Sequence, residues 1–227
     1  MIAPQPVSWP CPGPGGQSPE YAIAHDRGRK QRLLIVPALF DEANRMRRML
    51  VDAMARLDQA GIDSFLPDLP GCNESLQDFT AQSLHGWRSA MQIAARHFGA
   101  TDVLAVRGGA LVFPASLPGW ALEPAKGASI LRQLVRARTI AAREAGQHED
   151  SAALLEQGRT GGLELAGWRC GASLIAGLEH ALPQIEGQSL IAQGQLGGGG
   201  LWLRAEPAAA PEQSAALAAL IIAEITA

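Results

Sequence analysis

Three short apolar runs, at residues 33–36, 62–66 and 103–106, alternate with two stretches of helical periodicity, and this alternation restricts the chain more than any other feature. The first run is continuous and ends at Pro37, the pattern of a strand buried on both faces of a parallel sheet. A parallel neighbour needs a crossover helix. Met46, Met49, Leu50, Ala53, Met54 and Leu57 supply it as one apolar stripe, with Gly61 as its C-terminal cap. Leu84, Trp87, Met91, Ala94 and Phe98 form a second stripe, with Ser83 as N-cap. Strand, helix, strand, helix, strand implies a doubly wound, mostly parallel α/β sheet that binds ligands beyond the carboxyl ends of its strands. Pro37, Asp68 and Arg107 all map to that edge.

The flanks extend this frame. Residues 6–9 and 21–25 read as an antiparallel leading pair joined by the Pro/Gly turn at 11–16. Residues 120–124 read as a fourth strand, followed by a helix over 127–145 on which Arg132, Arg136 and Arg143 share a basic stripe. That stripe is either a solvated face or the lining of a cap. A short strand or hairpin is expected over 161–169, a small helix over 172–181, and a closing helix over 211–227. Residues 189–192 and 201–204 read as the last two strands. The glycines at 197–200 lack the lysine and Ser/Thr of a phosphate loop and read as a turn.

With 227 residues, 47% hydrophobic and 18% charged, the chain is expected to form one domain over 1–227, with a helical cap inserted at about 125–182. A formal charge of -3 excludes a general nucleic-acid binder. Cys11, Cys72 and Cys170 form no C-x-x-C pair, and neither a metal nor a cofactor is expected. The Pro/Gly-rich start lacks a secretory core, and no apolar run approaches the ~20 residues of a membrane span. A cytoplasmic protein is the expectation.

The segment VLAVRGGA at 103–110 carries the chemical question. An apolar strand, one residue, a glycine pair and a small-residue helix start are the layout that holds serine in G-x-S-x-G enzymes. Here the nucleophile's seat holds Arg107, whose guanidinium stays protonated and cannot attack a carbonyl. The last histidine is His180, inside the small helix, so the base expected after the final strand is missing too.

Two neighbouring segments offer polar groups. Asp68, with Gly71 and Ser75, has the spacing of a strand-to-helix turn in which the aspartate anchors the loop. In the stretch from Leu39 to Arg48, Asp41 and Asn44 either cap the next helix or help form a polar pocket. In the pocket reading Glu42 pairs with Arg107, and Arg107, Glu42, Asn44 and Arg48 bind a ligand, since a buried arginine needs an acid. Asp68 and Glu42 are the carboxylates available for an unconventional hydrolytic site.

VPALFDEANRMRRM at 36–49, DLPGC at 68–72, VRGGAL at 106–111, and LEP at 122–124 followed by LRQLVRAR at 131–138 together resemble the exosortase A system-associated hydrolase 2 family. GLELAG at 162–167 fits as well, and E-x-N-x-x-R-R-M is the most specific part. The resemblance implies an α/β-hydrolase-like fold with a small helical cap. It also implies association with bacterial exopolysaccharide and exosortase A (PEP-CTERM) loci, and an arginine at the nucleophile position as a family trait. Early Pro114 and Pro118, and Ala38 in place of a second proline, depart from the family pattern. Three functions follow as expectations: a silent enzyme fold binding a small anionic or glycan-related ligand, a hydrolase with a carboxylate-based site, and a non-enzymatic protein partner of an export or assembly complex.

Overall fold

The computed structural model describes residues 3–13 and 16–225. A seven-stranded sheet runs in the order β1 (Gln5–Gly13), β2 (Gly16–His25), β4 (Asp63–Pro67), β3 (Arg32–Val36), β5 (Asp102–Val106), β6 (Gly119–Leu122) and β9 (Ser189–Ile191). The leading pair is antiparallel and longer than its sequence pattern suggested, with Trp9 opposite Glu20; Pro14 and Gly15, in the expected turn, lie outside the described residues. From β4 onward every pairing is parallel. Leu33, Leu34, Ile35 and Val36 are wholly buried, as a strand covered on both faces requires.

Two cores flank the sheet. Helix α1 (Asp41–Gln59) and the closing helix α7 (Pro211–Ile225) pack on one face, where Met46, Met49, Leu50, Met54 and Leu57 meet Leu217 and Ile221. Helix α2 (Leu84–His97) covers the other face through Trp87 and Met91, and Ser83 caps it by accepting from the Gly86 amide at 3.0 Å. The segment between β6 and β9 forms a small helical cap of α3 (Gly127–Glu144), α4 (Ser151–Gly161), the β7–β8 hairpin (Leu163–Leu165, Trp168–Cys170) and α5 (Ala172–His180). Leu131, Leu134, Leu174 and Ile175 tie the cap to the α2-side core. Helix α4 had no counterpart in the sequence reading, although Asp150 caps it through the amides of Ala152 and Ala153.

One expected strand is absent. Residues 201–203 form a 3-10 turn, closed by the Leu203 amide to the Gly200 carbonyl and the Arg204 amide to the Leu201 carbonyl, so their hydrogen bonds are spent locally. Leu201 enters the α1-side core, Trp202 turns toward the ends of the strands, and β9 remains the edge of the sheet. The short helix α6 (Gln193–Leu196) and the left-handed Gly197 and Gly198 carry the chain away from that edge. Among the described residues no helix is long and apolar enough to cross a membrane.

Candidate functional site

Backbone strain collects at the carboxyl ends of the parallel strands. Among the described residues five non-glycine residues adopt positive φ, and four of them follow consecutive strands: Phe40 after β3, Asn73 after β4, Arg107 after β5 and Glu123 after β6. Each such residue costs of order 1–3 kcal/mol and persists where the surroundings over-determine it, which is commonest at functional edges. The site is therefore built where an open α/β sheet takes its ligands.

The elbow after β5 is a tight turn. Arg107 sits at φ 53° and opens a single 3-10 segment, Arg107–Leu111. No α-helix follows, because Pro114 has no amide to continue one. The two glycines are there for close approach: a Cβ on Gly109 would lie 2.5 Å from the Pro37 carbonyl oxygen, and one on Gly108 would lie 2.8 Å from the side chains of Leu39 and Ile130.

This turn aims the Arg107 side chain at α1. Its Nε donates to Glu42 Oε2 at 3.1 Å and its Nη2 to Glu42 Oε1 at 3.3 Å, while Nη1 donates to the Glu123 carbonyl at 2.8 Å. Both side chains are only 12% exposed. The Trp202 ring covers the guanidinium, with its centroid 4.2 Å from Cζ. The arginine is thus matched in charge, bonded in plane and covered on one face. Its formal charge is not left waiting for an anion.

In front of this pair lies a cavity of about 300 Å³. Leu39, Phe40, Asp41, Glu42 and Arg45 form one wall, and Ile130, Gln133, Leu134 and Ala137 of α3 form the opposite one. Ala166 of the hairpin turn, Trp202 and Leu203 close the remaining side. Asp41 Oδ1 accepts from Trp168 Nε1 at 3.0 Å, and Arg45 Nη1 donates to the Trp202 carbonyl at 3.0 Å, so the cap hairpin and the 201–203 turn are both fastened to the start of α1. Phe40 packs edge to face on Phe79, Trp87 and Trp168, and Phe79 lies tilted against both tryptophans, with centroids 5.0 to 6.4 Å apart. Among the described residues no serine, cysteine or histidine lines the cavity.

The remaining residues singled out from the sequence fall elsewhere. Asn44 and Arg48 are exposed on α1 and outside the cavity lining; Arg45, one residue on from Asn44, takes the place expected of them. Neither Asp41 nor Asn44 caps α1, because Phe40 occupies the N-cap without a side-chain bond. Asp68 is wholly buried and committed to its loop: it pairs with Arg47 at 2.8 Å and accepts from Asn73 Nδ2 at 2.9 Å and from the Glu74 amide at 3.4 Å. His180 ends α5 on the cap, away from the elbow cavity's lining.

Burial pushes all three free thiols, Cys11, Cys72 and Cys170, up to about 12, and Asp68 and Glu20 add repulsion at Cys72. None supplies a thiolate nucleophile near neutral pH. Among the described residues no group of three or more His, Cys, Asp or Glu side chains is placed to hold a metal ion. Sequence reasoning missed Trp202 and Gln133. The glycine run before Trp202 was a signal that the chain there turns rather than extends.

The sequence matches no protein-family model, and no curated protein matches it. Solved structures do resemble it. A thermophilic esterase from Thermogutta terrifontis, with malate bound, superposes with a TM-score of 0.51 at 15% identity over 83% of this chain and 79% of that one. A hydrolase from Agrobacterium vitis S4 gives a TM-score of 0.47 at 13% identity over 62% of this chain, and a lidless α/β serine hydrolase from Xanthomonas campestris gives 0.43 at 16% identity over 56%. The chain spans 61% and 64% of the length of those two proteins, less than two thirds of each. The sheet order, the crossovers and the likeness to the Thermogutta structure make this an α/β-hydrolase-like fold, with an ion-paired arginine at the turn after β5.

Proposed function

We propose that this chain is a ligand-binding member of the α/β-hydrolase fold, without serine-hydrolase chemistry, whose ligand is a glycan-related, uncharged molecule. Its setting, on the resemblance of its motifs, is the bacterial exopolysaccharide and exosortase A (PEP-CTERM) system. The observation that carries the reading is the Arg107–Glu42 pair at the elbow. An arginine matched by a carboxylate adds no net attraction for an anion, so the anionic half of the expectation loses its main support. Hydroxyl groups, by contrast, can donate to the outward lone pairs of Asp41 and Glu42 and accept from Arg45 and Gln133. Leu39, Ile130, Leu134 and the Trp202 indole offer apolar contact for the faces of a sugar ring. The volume is at the small end of the ~300–1,000 Å³ usual for such sites, which favours one or two sugar units.

A carboxylate-based hydrolase has less support, because Asp68 is enclosed by Arg47 and Asn73 and Glu42 is engaged by Arg107. Calorimetric titration with neutral mono- and disaccharides, beside the matching sugar acids, tests the proposal. Neutral sugars should bind, and Trp202→Ala or Gln133→Ala should weaken them. Binding restricted to sugar acids, or turnover of p-nitrophenyl esters or glycosides by the wild type, would overturn it.

A further inference from the structure

The cap carries a second concavity, separated from the first by α3. Helices α3, α4 and α5 border an open groove of about 790 Å³. Its floor is apolar: Leu131 and Val135 are 3% and 4% exposed, and Leu155 packs against the same core. Its rim is basic, with Arg132 and Arg136 exposed one turn apart on α3 and His180 at the end of α5.

These two arginines differ from others in the chain. Arg47, Arg107, Arg138 and Arg159 each hold a carboxylate at salt-bridge distance. The Arg132 side chain donates only to Ser129 Oγ, at 3.1 Å, and the Arg136 guanidinium has no hydrogen bond or ion pair among the described residues, although its backbone carbonyl accepts from Thr139 Oγ1 at 3.0 Å. Glu179, the acidic residue lining the groove, is engaged by Arg159 through Nε at 2.9 Å and Nη2 at 2.7 Å, an arginine that also holds Glu156, so Glu179 is directed to Arg159 rather than to Arg132 or Arg136. Two uncompensated guanidinium groups therefore stand over an apolar floor.

We propose that this groove is a docking surface for an acidic amphipathic helix of a protein partner. Its lining runs from Ala128 to Thr139 along α3, about 16 Å at the helical rise, which accommodates about three turns. Acidic side chains four residues apart on the partner meet Arg132 and Arg136, and apolar side chains on the same face enter toward Leu131, Val135 and Leu155. The apolar contacts supply affinity, and the charges set orientation and encounter rate. The inference is independent of the sugar-binding reading, since Arg132, Arg136 and Leu155 do not line the first cavity.

The test uses the full chain and two labelled synthetic helical peptides, alike in leucines but with Glu or Gln at positions four apart, followed by fluorescence anisotropy. The Glu peptide should bind saturably. The double variant Arg132→Glu with Arg136→Glu should weaken it by about tenfold or more, a change of ~1.4 kcal/mol, and the Gln peptide should bind the wild type correspondingly weakly. Both substitutions are exposed, and an unchanged thermal melt confirms that the variant is folded. Absence of saturable binding, equal binding by the double variant, or equal binding of the two peptides overturns the proposal. So does displacement of the peptide by inorganic phosphate at an ionic strength where chloride has no effect, which identifies a small-anion site.

Discussion

The Trp202 ring lies over the Arg107 guanidinium, 4.2 Å from Cζ to the ring centroid, although 95 residues separate the two in sequence. Trp202 borders the cavity between the α1 and α3 walls and covers an ion pair that would otherwise be wet. Glu42, Glu123 and Trp202 reach Arg107 from three different segments of the chain. The turn after β5 is here a structural joint.

The joint has a measurable asymmetry. Glu42→Ala strands a largely buried cation and should cost about 3–5 kcal/mol, whereas replacing the pair by Glu42→Gln with Arg107→Met should cost less than the sum of the single changes. Urea unfolding of the four proteins of this cycle measures the coupling; additive effects would show that the pair is not coupled.

Introducing serine at the turn after β5 should not create an esterase. Arg107→Ser places a hydroxyl at the elbow, but no histidine lines the adjoining cavity to take its proton. Hydrolysis of p-nitrophenyl acetate by this variant should stay at the rate of the wild type, and a gain of more than about tenfold, some 1.4 kcal/mol of transition-state stabilisation, would contradict the site as described.

Asp68→Asn should loosen the loop after β4. The carboxylate joins Arg47 of α1 to Asn73 and the Glu74 amide, so neutralising it leaves Arg47 without its ion-pair partner. A loss of roughly 1–3 kcal/mol is expected, with faster amide exchange across residues 71–75 than at the β5 elbow. Uniform exchange throughout the chain would argue against a local anchor.

The acid limb of the stability profile should reflect Asp58. The Arg27 guanidinium at 2.6 Å, with Arg29 at 2.8 Å, holds its carboxyl down at about 2, against an ordinary 3.8. A depressed carboxylate adds stability above its unfolded value, and that stability is lost as pH falls from 3.8 toward 2. Arg27→Gln should flatten this limb in urea melts across the window. Glu20 works in the opposite sense: burial raises its carboxyl above 4.5, so stability falls as pH rises from that value, and Glu20→Gln should remove the decline.

The order of elements was legible in the residues, because buried parallel strands leave continuous apolar runs and amphipathic helices leave stripes. Leu33 to Val36, the Met46 to Leu57 stripe and the Ser83 cap all occupy the expected roles. The resemblance of the motifs led to the hydrolase-like fold, and the likeness to the Thermogutta structure bears that fold out. Leu201 to Leu203 were misread, because an apolar triplet is compatible with a strand or a tight turn and only the preceding left-handed glycines distinguish the two. Asn44 and Arg45 differ by one position, or about 100° around α1, and that rotation decides which of them lines the cavity.

By itself the sequence determined the layers of the fold, the arginine at the turn after β5 and the presence of carboxylates in the neighbouring loops, because all three depend on local residue type and period. Tertiary structure chose the reading in which Glu42 pairs with Arg107 over the one in which this stretch only caps a helix, and it alone decided that Trp202 covers the pair and that Asp68 is enclosed by its own loop. These depend on segments far apart in sequence meeting at one edge of the sheet, and on the need of each buried charge there for a partner.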